Sequence, residues 1–274
     1  MKQWLLAGIA MLTTGSAAEP GLPIFRSGNF EVTAIQDAAS TMRQAIFPAL
    51  PAQEFRRLAG GSEAPSSVNV FLLRRDGKLI LADTGYGGTR GALLPRLRSA
   101  KAAPEQIDFI LLTHMHGDHI GSLIDANGKA VFPKATILVS APELAFWRNA
   151  PGGDTARKML SAYGPRIRTF QYGDEVLPGI RALDAAGHTP GHTVFDTGSL
   201  LIVGDLLHAA AIQLPKPEIC ASYDMDPEKS VRIRRRFLDL AAETGRPLAG
   251  MHLPAPGIVQ IRRAESGYTA HPVK

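Results

Sequence analysis

The stretch that decides the fold is Thr113–Ser122, which reads THMHGDHIGS. It places His114, His116, Asp118 and His119 within six consecutive positions, although the 274-residue chain contains only eight histidines. Side chains two positions apart in a strand point to the same side, so the first two histidines can face one point at a strand's end. Neutral imidazoles packed together would leave polar groups unsatisfied, so the cluster favours metal ligation over ordinary core packing.

The residues around this stretch predict a strand, a turn and a helix. Ile107–Leu112 is almost wholly apolar, which is typical of a strand buried on both faces. Gly117 and Gly121 give the backbone freedom to turn, and Asp118 and His119 then lie at the start of a predicted helix. Four ligand-type side chains on one strand-to-helix turn can serve two metal ions, but one turn rarely completes two metal sites, so we expect further ligands from elsewhere in the chain.

Further ligand-type residues follow other predicted strands. The segment Ala186–His192 reads AGHTPGH and contains His188 and His192, and the tripeptides VGD and GMH end in Asp205 and His252. Each of these would be weak evidence alone. In this order, and together with the THMHGDH turn, they favour one shared metal centre.

The remaining sequence predicts strands mixed with helices in two similar halves. The predicted strands are Glu31–Ile35, Val68–Arg74, Lys78–Ala82, Ile107–Leu112, Thr136–Ser140, Arg166–Phe170, Ile180–Ala185, Thr193–Asp196, Leu200–Val203, Leu248–Met251, Ile258–Arg263 and Tyr268–His271. Helices are predicted at Arg90–Ala102 and Pro227–Thr244. Long irregular stretches are predicted at Asp37–Ser66, where a lid is one interpretation, and at Leu206–Met225. This order predicts an α/β fold in which sheets pack together with helices outside.

The first eighteen residues have the pattern of a secretory signal peptide. Lys2 precedes the short apolar run Trp4–Leu12, and the small residues Ser16–Ala18 precede a predicted cleavage site before Glu19. We therefore expect a secreted protein, with the periplasm as its compartment, in which residues 19–274 form a single domain. No later stretch is long and apolar enough for a membrane span.

Composition and charge argue against several classes of protein. A hydrophobic content of 45%, a charged content of 20% and a net charge of +5 are ordinary for a globular domain. Arg232, Arg234, Arg235 and Arg236 lie on a predicted helix that also carries an apolar stripe, so a solvated helix face is favoured over a nucleic-acid site. Cys220 is the only cysteine, so no intramolecular disulfide is possible, and we expect it to be partly buried and inert.

Seven ligand-type residues in this order resemble the metal motif of the metallo-β-lactamase fold superfamily of binuclear metallohydrolases: His114, His116, Asp118, His119, His188, Asp205 and His252. The resemblance implies a four-layer αββα sandwich that binds two divalent metal ions. Zinc is the favoured metal, and manganese, iron and cobalt are the alternatives. The resemblance implies one metal held by His114, His116 and His188, a second held by Asp118, His119 and His252, and Asp205 bridging the two.

The same resemblance implies roles for residues around the ligands. Asp83, in the segment DTG after a predicted strand, resembles the family's buried aspartate that braces the ligand turn. His192 is expected to orient a ligand, and Asp118 is also a candidate proton acceptor. His208 lies three residues after the bridging aspartate, where N-acyl homoserine lactonases have a tyrosine. Proton donation to the leaving group and a hydrogen-bonded structural role both remain open for it.

Within the superfamily, the chain most resembles the methyl parathion hydrolase-like group of exported hydrolases. The shared segments are THMHGDHIGS, AGHTPGHT, GDLLHAA and Met251–Ile258. That group implies hydrolysis of small-molecule esters, lactones or phosphotriesters by attack of a metal-bridging hydroxide, often in a homodimer. We expect an ester or lactone as the natural substrate and phosphotriester turnover as a side activity. Tyr86, Phe146 and Trp147 are candidates for an aromatic leaving-group pocket, with ordinary packing as the alternative.

Three other functions were weighed against this interpretation. A dedicated N-acyl homoserine lactonase is disfavoured by His208 at the tyrosine position. A single-iron oxygenase of the same fold would not need Asp118, His119 and His252. A binding protein that had lost catalysis should have lost ligands, yet all seven positions are filled. Secretion also disfavours a nucleic-acid partner.

Overall fold

The computed structural model describes residues 22–273, and the predicted signal peptide, residues 1–18, lies outside the described residues. The chain forms two seven-stranded sheets whose inner faces share one apolar core, with helices packed on the outer faces. The prediction of an α/β four-layer sandwich is confirmed. Within residues 22–273, no helix combines the length and the apolar character that a membrane span requires.

Each sheet is built from consecutive strands. The first sheet contains β1 (Ile24–Ser27), β2 (Phe30–Arg43), β3 (Glu63–Arg75), β4 (Lys78–Ala82), β5 (Phe109–Leu111), β6 (Thr136–Ser140) and β7 (Ile167–Phe170). The second contains β8 (Glu175–Leu177), β9 (Ile180–Asp184), β10 (Thr193–Asp196), β11 (Leu201–Gly204), β12 (Leu248–Gly250), β13 (Ile258–Arg263) and β14 (Tyr268–Pro272). Strands β4 to β7 are parallel to one another, and β11 is parallel to β12.

Seven helices accompany the sheets in the described part of the chain. They are α1 (Ala52–Ala59), α2 (Leu93–Ser99), α3 (Gly117–Ile120), α4 (Ala141–Asn149), α5 (Asp154–Tyr163), α6 (Ala210–Gln213) and α7 (Pro227–Thr244). Apolar residues of α2, α4 and α5 cover the first sheet, and those of α7 cover the second. Burial of these helix faces is the main contribution to the stability of the outer layers.

Alternate side chains of the central strands belong to different cores, because successive residues of a strand point to opposite faces. In β4, Ile80 packs between the sheets, whereas Leu81 packs beneath the outer helices. In β11, Ile202 lies in the inter-sheet core and Leu201 lies under α7. This two-sided burial explains why the central strands read as apolar runs.

The prediction of an irregular stretch at Asp37–Ser66 is wrong. Strands β2 and β3 form one long hairpin, paired as far as Arg43 with Glu63, and α1 lies in its connection. The connection buries an apolar cluster in which Phe55 of α1 and Ile212 of α6 both take part. The residues of this cluster come from segments far apart in the sequence. No local sequence pattern therefore predicts the extension of the hairpin.

Helix α2 is shorter than the predicted helix at Arg90–Ala102. It begins at Leu93, whose backbone N–H donates to Asp37 Oδ1 at 2.8 Å. The other carboxylate oxygen accepts from the backbone N–H of Tyr86 at 2.8 Å. The buried aspartate therefore fixes the loop that precedes α2 and delays the start of the helix.

Cys220 is partly buried, as expected. Its Sγ lies 3.2 Å from the backbone carbonyl oxygen of Pro227. Burial raises the pKa of its thiol, which disfavours the nucleophilic thiolate at neutral pH.

Candidate metal centre

Five strands deliver the predicted site residues to one edge of the sandwich. Asp83 follows β4, His114 follows β5, His188 follows β9, Asp205 follows β11 and His252 follows β12. Each residue lies within a few positions of the carboxyl end of its strand. Because these ends meet at the same edge, residues from separate parts of the chain converge there.

The structure brings all seven predicted ligands together. Within each of two groups the ligand atoms lie within 4.8 Å of one another, and the groups are His114, His116, His188 and Asp205, and Asp118, His119 and His252. Asp205 lies between the groups, because its Oδ2 is 3.2 Å from His188 Nε2 and 3.1 Å from His252 Nε2. This arrangement matches the two predicted sites joined by one carboxylate.

The outer ring nitrogens of the histidines are held by hydrogen-bond acceptors. His252 Nδ1 donates to the backbone carbonyl of Ser67 at 2.8 Å, and His119 Nδ1 donates to Asp83 Oδ2 at 2.7 Å. A carbonyl or carboxylate oxygen only accepts, so in the neutral form of each ring, which is the form that binds a metal, Nδ1 carries the proton. The inner Nε2 atoms therefore present lone pairs toward the centre of the cluster.

The inner atoms form a set of acceptors that face one another. His114 Nε2 and His188 Nε2 lie 2.9 and 3.0 Å from the same nitrogen, His116 Nδ1, which has one proton at most. His119 Nε2 and Asp205 Oδ1 are buried without a hydrogen-bond partner among the described residues, although they are 3.0 Å apart. Divalent cations would satisfy these atoms, and imidazole nitrogens with a carboxylate are ligands that zinc prefers. The residues therefore fit a pair of metal ions.

Burial and the neighbouring charges together set the protonation of these groups. Burial lowers the pKa of His116 to about 3, which keeps the ring in the neutral form that binds metals. Burial also lowers the pKa of His188, but the carboxylates of Asp205 and Asp224 outweigh it and raise the value to about 9. Metal binding at His188 would therefore release a proton.

Asp83 braces the ligand turn, in the position that the resemblance implied. It is buried and adopts a positive φ of 58°, which is uncommon for a residue other than glycine. Its carboxylate accepts from the backbone N–H and the hydroxyl of Thr113 at 2.8 and 2.7 Å and from His119 Nδ1 at 2.7 Å. One carboxylate thus ties both ends of the turn together.

His192 contacts backbone atoms with both ring nitrogens. Its Nδ1 donates to the carbonyl of Ala185 at 3.1 Å, and its Nε2 accepts from the backbone N–H of Asp205 at 3.1 Å. No lone pair is left for a metal, so His192 orients Asp205 instead. Gly204 has a φ of 53°, and a Cβ there would overlap both His192 Nε2 and Thr113.

Glu143 is a buried residue of the site that sequence analysis missed. Its Oε1 accepts from the backbone N–H of Met115 at 2.9 Å and from Trp147 Nε1 at 2.6 Å. Its Oε2 accepts from the hydroxyl of Thr189 at 2.7 Å and from the backbone N–H of Gly191 at 2.9 Å. Glu143 therefore joins the loop of the first histidines to the loop that carries His188.

The aromatic residues proposed for a substrate pocket lie in different places. Trp147 is 8% exposed and packs edge-on against His116 with ring centroids 5.4 Å apart, and Phe146 packs against the outer core. Neither lines the cleft over the ligands, which agrees with the alternative of ordinary packing for these two residues. That cleft has a volume of about 320 Å³ and is lined by Tyr86, as predicted, and by Tyr223.

His208 lies beside the bridging carboxylate. The ring is 1% exposed and lines the cleft, and its Nε2 is 3.2 Å from Asp205 Oδ2. Its ring stacks on that of His252 at 5.4 Å. Its Nδ1 is buried without a hydrogen-bond partner among residues 22–273, so Asp205 is the polar group nearest to the ring, and both predicted roles of His208 stay open.

Arg234 contradicts the prediction of a fully solvated arginine face on α7. It is 1% exposed and donates to the carbonyls of Leu206 and Pro217 at 2.8 and 2.9 Å. It also donates to Asp224 Oδ2 at 3.1 Å, and Asp224 Oδ1 accepts from His188 Nδ1 at 3.0 Å. The buried arginine thus holds the carboxylate that orients a predicted ligand.

Exchange of Asp224 for Asn should weaken zinc binding by about 10- to 100-fold, the usual effect of removing a carboxylate behind a metal-binding histidine. The amide keeps the shape of the side chain but loses the charge that holds His188 and Arg234. Competition with a chelating dye measures the affinity, and Tm of the metal-free protein reports on folding. Asp226→Asn is the matched control, because asparagine also caps α7. Equal zinc affinity of D224N and the wild type would contradict this role for Asp224.

The sequence matches the family model of the metallo-beta-lactamase superfamily over residues 64–264. The chain belongs to this superfamily. Its members share the fold described above, and the match covers the THMHGDH turn and every predicted ligand.

Two solved structures resemble the protein over nearly its whole length. AidC, a dizinc quorum-quenching lactonase solved with a product, is 27% identical with a TM-score of 0.86, covering 93% of this chain and 98% of its own. The hydrolase AbOPH is 30% identical with a TM-score of 0.82, covering 94% and 99%. Metallo-beta-lactamase domain-containing protein 1 of Rattus norvegicus is 44% identical over 168 residues, 59% of this chain and 58% of that protein. The chain thus spans about three fifths of that relative.

Proposed function

We propose that the protein is a secreted, binuclear zinc-dependent hydrolase that cleaves carboxylic esters and lactones. The observation that carries the proposal is the convergence of seven ligand side chains whose inner lone pairs and carboxylate oxygens face one another. Membership of the superfamily supports a metal-dependent hydrolase. The substrate class, zinc and secretion belong to the proposal, with the leader pattern of residues 1–18 supporting secretion.

The bound metals and the residues of the chain would contribute different parts of the reaction. Two divalent cations bound here would supply a water that is ionised near neutral pH and a Lewis acid for the substrate carbonyl. Asp118 lines the cleft, and its side chain is 22% exposed. Burial raises the pKa of Asp118, but His119 and His252 outweigh it and lower the value. The ionised carboxylate can therefore accept a proton at an oxygen that faces the cleft.

His208 is the proposed hydrogen-bond donor to the leaving group. It lines the cleft, with its Nε2 3.2 Å from Asp205 Oδ2. Burial lowers its pKa, so the ring is neutral at working pH and keeps one N–H. That N–H can donate a hydrogen bond to the oxygen of a leaving alkoxide or of an opening lactone ring.

The relatives support hydrolysis as the reaction, but they do not identify the substrate. AidC is described as a lactonase and AbOPH as a hydrolase, and an N-acyl homoserine lactonase of Bacillus sp. is 27% identical over 145 residues. Small-molecule esters and lactones share a carbonyl that one metal can polarise. We propose phosphotriester turnover, the activity of the methyl parathion hydrolase-like group, as a side reaction.

A substrate panel on zinc-quantified protein tests the proposal. We expect kcat/KM for aryl acetates or lactones to exceed that for a dimethyl aryl phosphotriester by at least about tenfold, or about 1.4 kcal/mol of transition-state free energy. A phosphotriester turned over faster than every ester and lactone would reverse the substrate assignment. Absence of hydrolysis across the panel in protein with full metal content would contradict the proposal.

A further inference from the structure

The edge of the sandwich opposite the metal ligands contains a small apolar cavity. The ligands follow the carboxyl ends of β4 and β5, whereas Lys78 and Phe109 are the first residues of these two strands. Here a cavity of about 190 Å³, the apolar slot, opens between the two sheets. Its apolar walls come from both sheets and the turn after β8: Phe30, Ile80, Phe109, Leu177 and Pro178.

A larger cavity of about 650 Å³, the basic cavity, adjoins the apolar slot. Four cationic side chains and two carboxylates line it: Arg26, Arg74, Arg75, Lys78, Glu31 and Asp76. Arg75, Asp76 and Lys78 line the apolar slot as well. An excess of positive charge therefore lies at the entrance to an apolar space.

Arg75 is held in place at the boundary between the two cavities. Its Nη1 donates to the carbonyl of Pro178 at 2.6 Å, and its guanidinium carbon lies 5.0 Å from the centroid of the Phe30 ring. Its Nε donates to Asp76 Oδ2 at 3.2 Å, but the Asp76 side chain is 83% exposed, and such exposed pairs are weak. Nη2 has no hydrogen-bond partner among the described residues. Arg75 therefore offers an oriented guanidinium group to an anion.

We propose that this edge of the sandwich binds an aromatic carboxylate with a single ring. The carboxylate lies at Arg75 and Lys78, because hydrogen bonds between charged groups are the stronger ones. The ring lies in the apolar slot between Phe30 and Phe109, since aromatic rings pack favourably on one another. An apolar cavity of about 150 Å³ accepts benzene, so the slot has room for one ring. The site lies away from the metal ligands and does not depend on the proposed hydrolysis.

A chemical-shift titration of the zinc-loaded protein with phenylacetate locates the ligand. We expect a saturable shift of the backbone amide signal of Gly77, which lines the basic cavity. Nuclear Overhauser contacts should connect the ligand ring with the ring of Phe109. A saturable shift of the Gly117 amide in the ligand turn, with the Gly77 signal unmoved, would place phenylacetate at the metal centre and overturn the inference.

Two smaller probes separate the contributions of the ring and of the charge. Acetate lacks the ring and benzyl alcohol lacks the charge, so each should bind at least about tenfold more weakly than phenylacetate in the Gly77 titration. Acetate that bound as tightly as phenylacetate would show that the apolar slot takes no part. Benzyl alcohol that bound as tightly would show the same of the cations.

Exchange of Asp76 for Asn is expected to strengthen phenylacetate binding at least about threefold. The exchange removes the carboxylate that competes for Arg75, and an Asn-Gly pair suits a hairpin turn with the positive φ of 49° that residue 76 adopts. Arg75→Met should weaken binding at least about tenfold, because it removes the guanidinium group. Arg168→Met is the matched control, since Arg168 is exposed and lines neither cavity. Equal affinity of the wild type, D76N and R75M would overturn the inference.

A further variant guards against a folding defect in R75M, which Tm would reveal. The Lys78 side chain is 59% exposed, and its partner Asp108 also contacts Lys134 at 3.3 Å, so Asp108 keeps a cation without Lys78. Lys78→Gln should weaken phenylacetate binding about threefold while keeping the wild-type Tm. Unchanged binding by a folded K78Q would count against the site.

Discussion

Exchange of Asp205 for Asn is expected to lower kcat/KM by about three orders of magnitude or more, a loss of about 4 kcal/mol in transition-state stabilisation. The carboxylate is the shared contact of the cluster, with Oδ2 3.2 Å from His188 Nε2 and 3.1 Å from His252 Nε2. Burial raises its pKa, but His119 leads the surrounding histidines in lowering it well below its usual range. The asparagine amide carries no negative charge, and its NH₂ group would point toward the positions that the metal ions are proposed to occupy.

The control for this exchange is Asp174→Asn. Asp174 is exposed, accepts a hydrogen bond from the backbone N–H of Gln171, and belongs neither to the cleft lining nor to the ligand groups. The D174N variant should keep the kcat/KM and the metal content of the wild type. Activity of a folded D205N within tenfold of the wild type would show that the bridging carboxylate is not part of the reacting centre.

Removal of bound metal is expected to lower Tm by about 10 °C. Without cations, charged histidines hold the buried cluster together: His119 Nε2 lies 3.0 Å from Asp205 Oδ1, and taking such charges out of water costs folding free energy. Zinc at about a thousand times its Kd adds about 4 kcal/mol to the free energy of unfolding when it binds the folded chain alone. For a domain of this size, each kcal/mol shifts Tm by about 2–4 °C.

The measurement is a thermal melt of chelator-treated protein with increasing zinc added back. Tm should rise with the logarithm of the zinc concentration above Kd. D205N serves as the internal comparison, because losing the shared ligand should flatten its response. A wild-type Tm that does not depend on zinc would mean that the histidine cluster does not bind the metal in the folded state.

The predicted ligands could be identified from the sequence because they follow the ends of strands. Apolar runs with two-sided burial gave β4 and β6 with the bounds that the structure shows, and the THMHGDH turn follows the short strand β5. The hairpin of β3 and β4 turns at Asp76–Gly77, with positive φ at both residues, which is a common residue pair in such turns. Local sequence patterns were sufficient to predict these elements, because the residues that define each one lie close together in the sequence.

Two supporting residues, Arg234 and Glu143, could not be predicted, because their partners are distant in the sequence. Arg234 reads as one of several arginines on an exposed helix, and its burial depends on carbonyls of the loop before α7 and on Asp224. Glu143 follows Ser140 at the spacing of a helix N-terminal capping motif. The Ser140 hydroxyl does accept a hydrogen bond from the backbone N–H of Glu143 at 3.3 Å. The Glu143 carboxylate, however, does not complete the capping motif but joins two distant loops.

The most direct measurement is the metal content of the purified protein after zinc loading and removal of excess metal. We expect two zinc ions per chain in the wild type and a clear loss of zinc in D205N, with the rate of hydrolysis falling in proportion. One ion per chain, or full hydrolysis by protein from which all metal has been stripped, would contradict it.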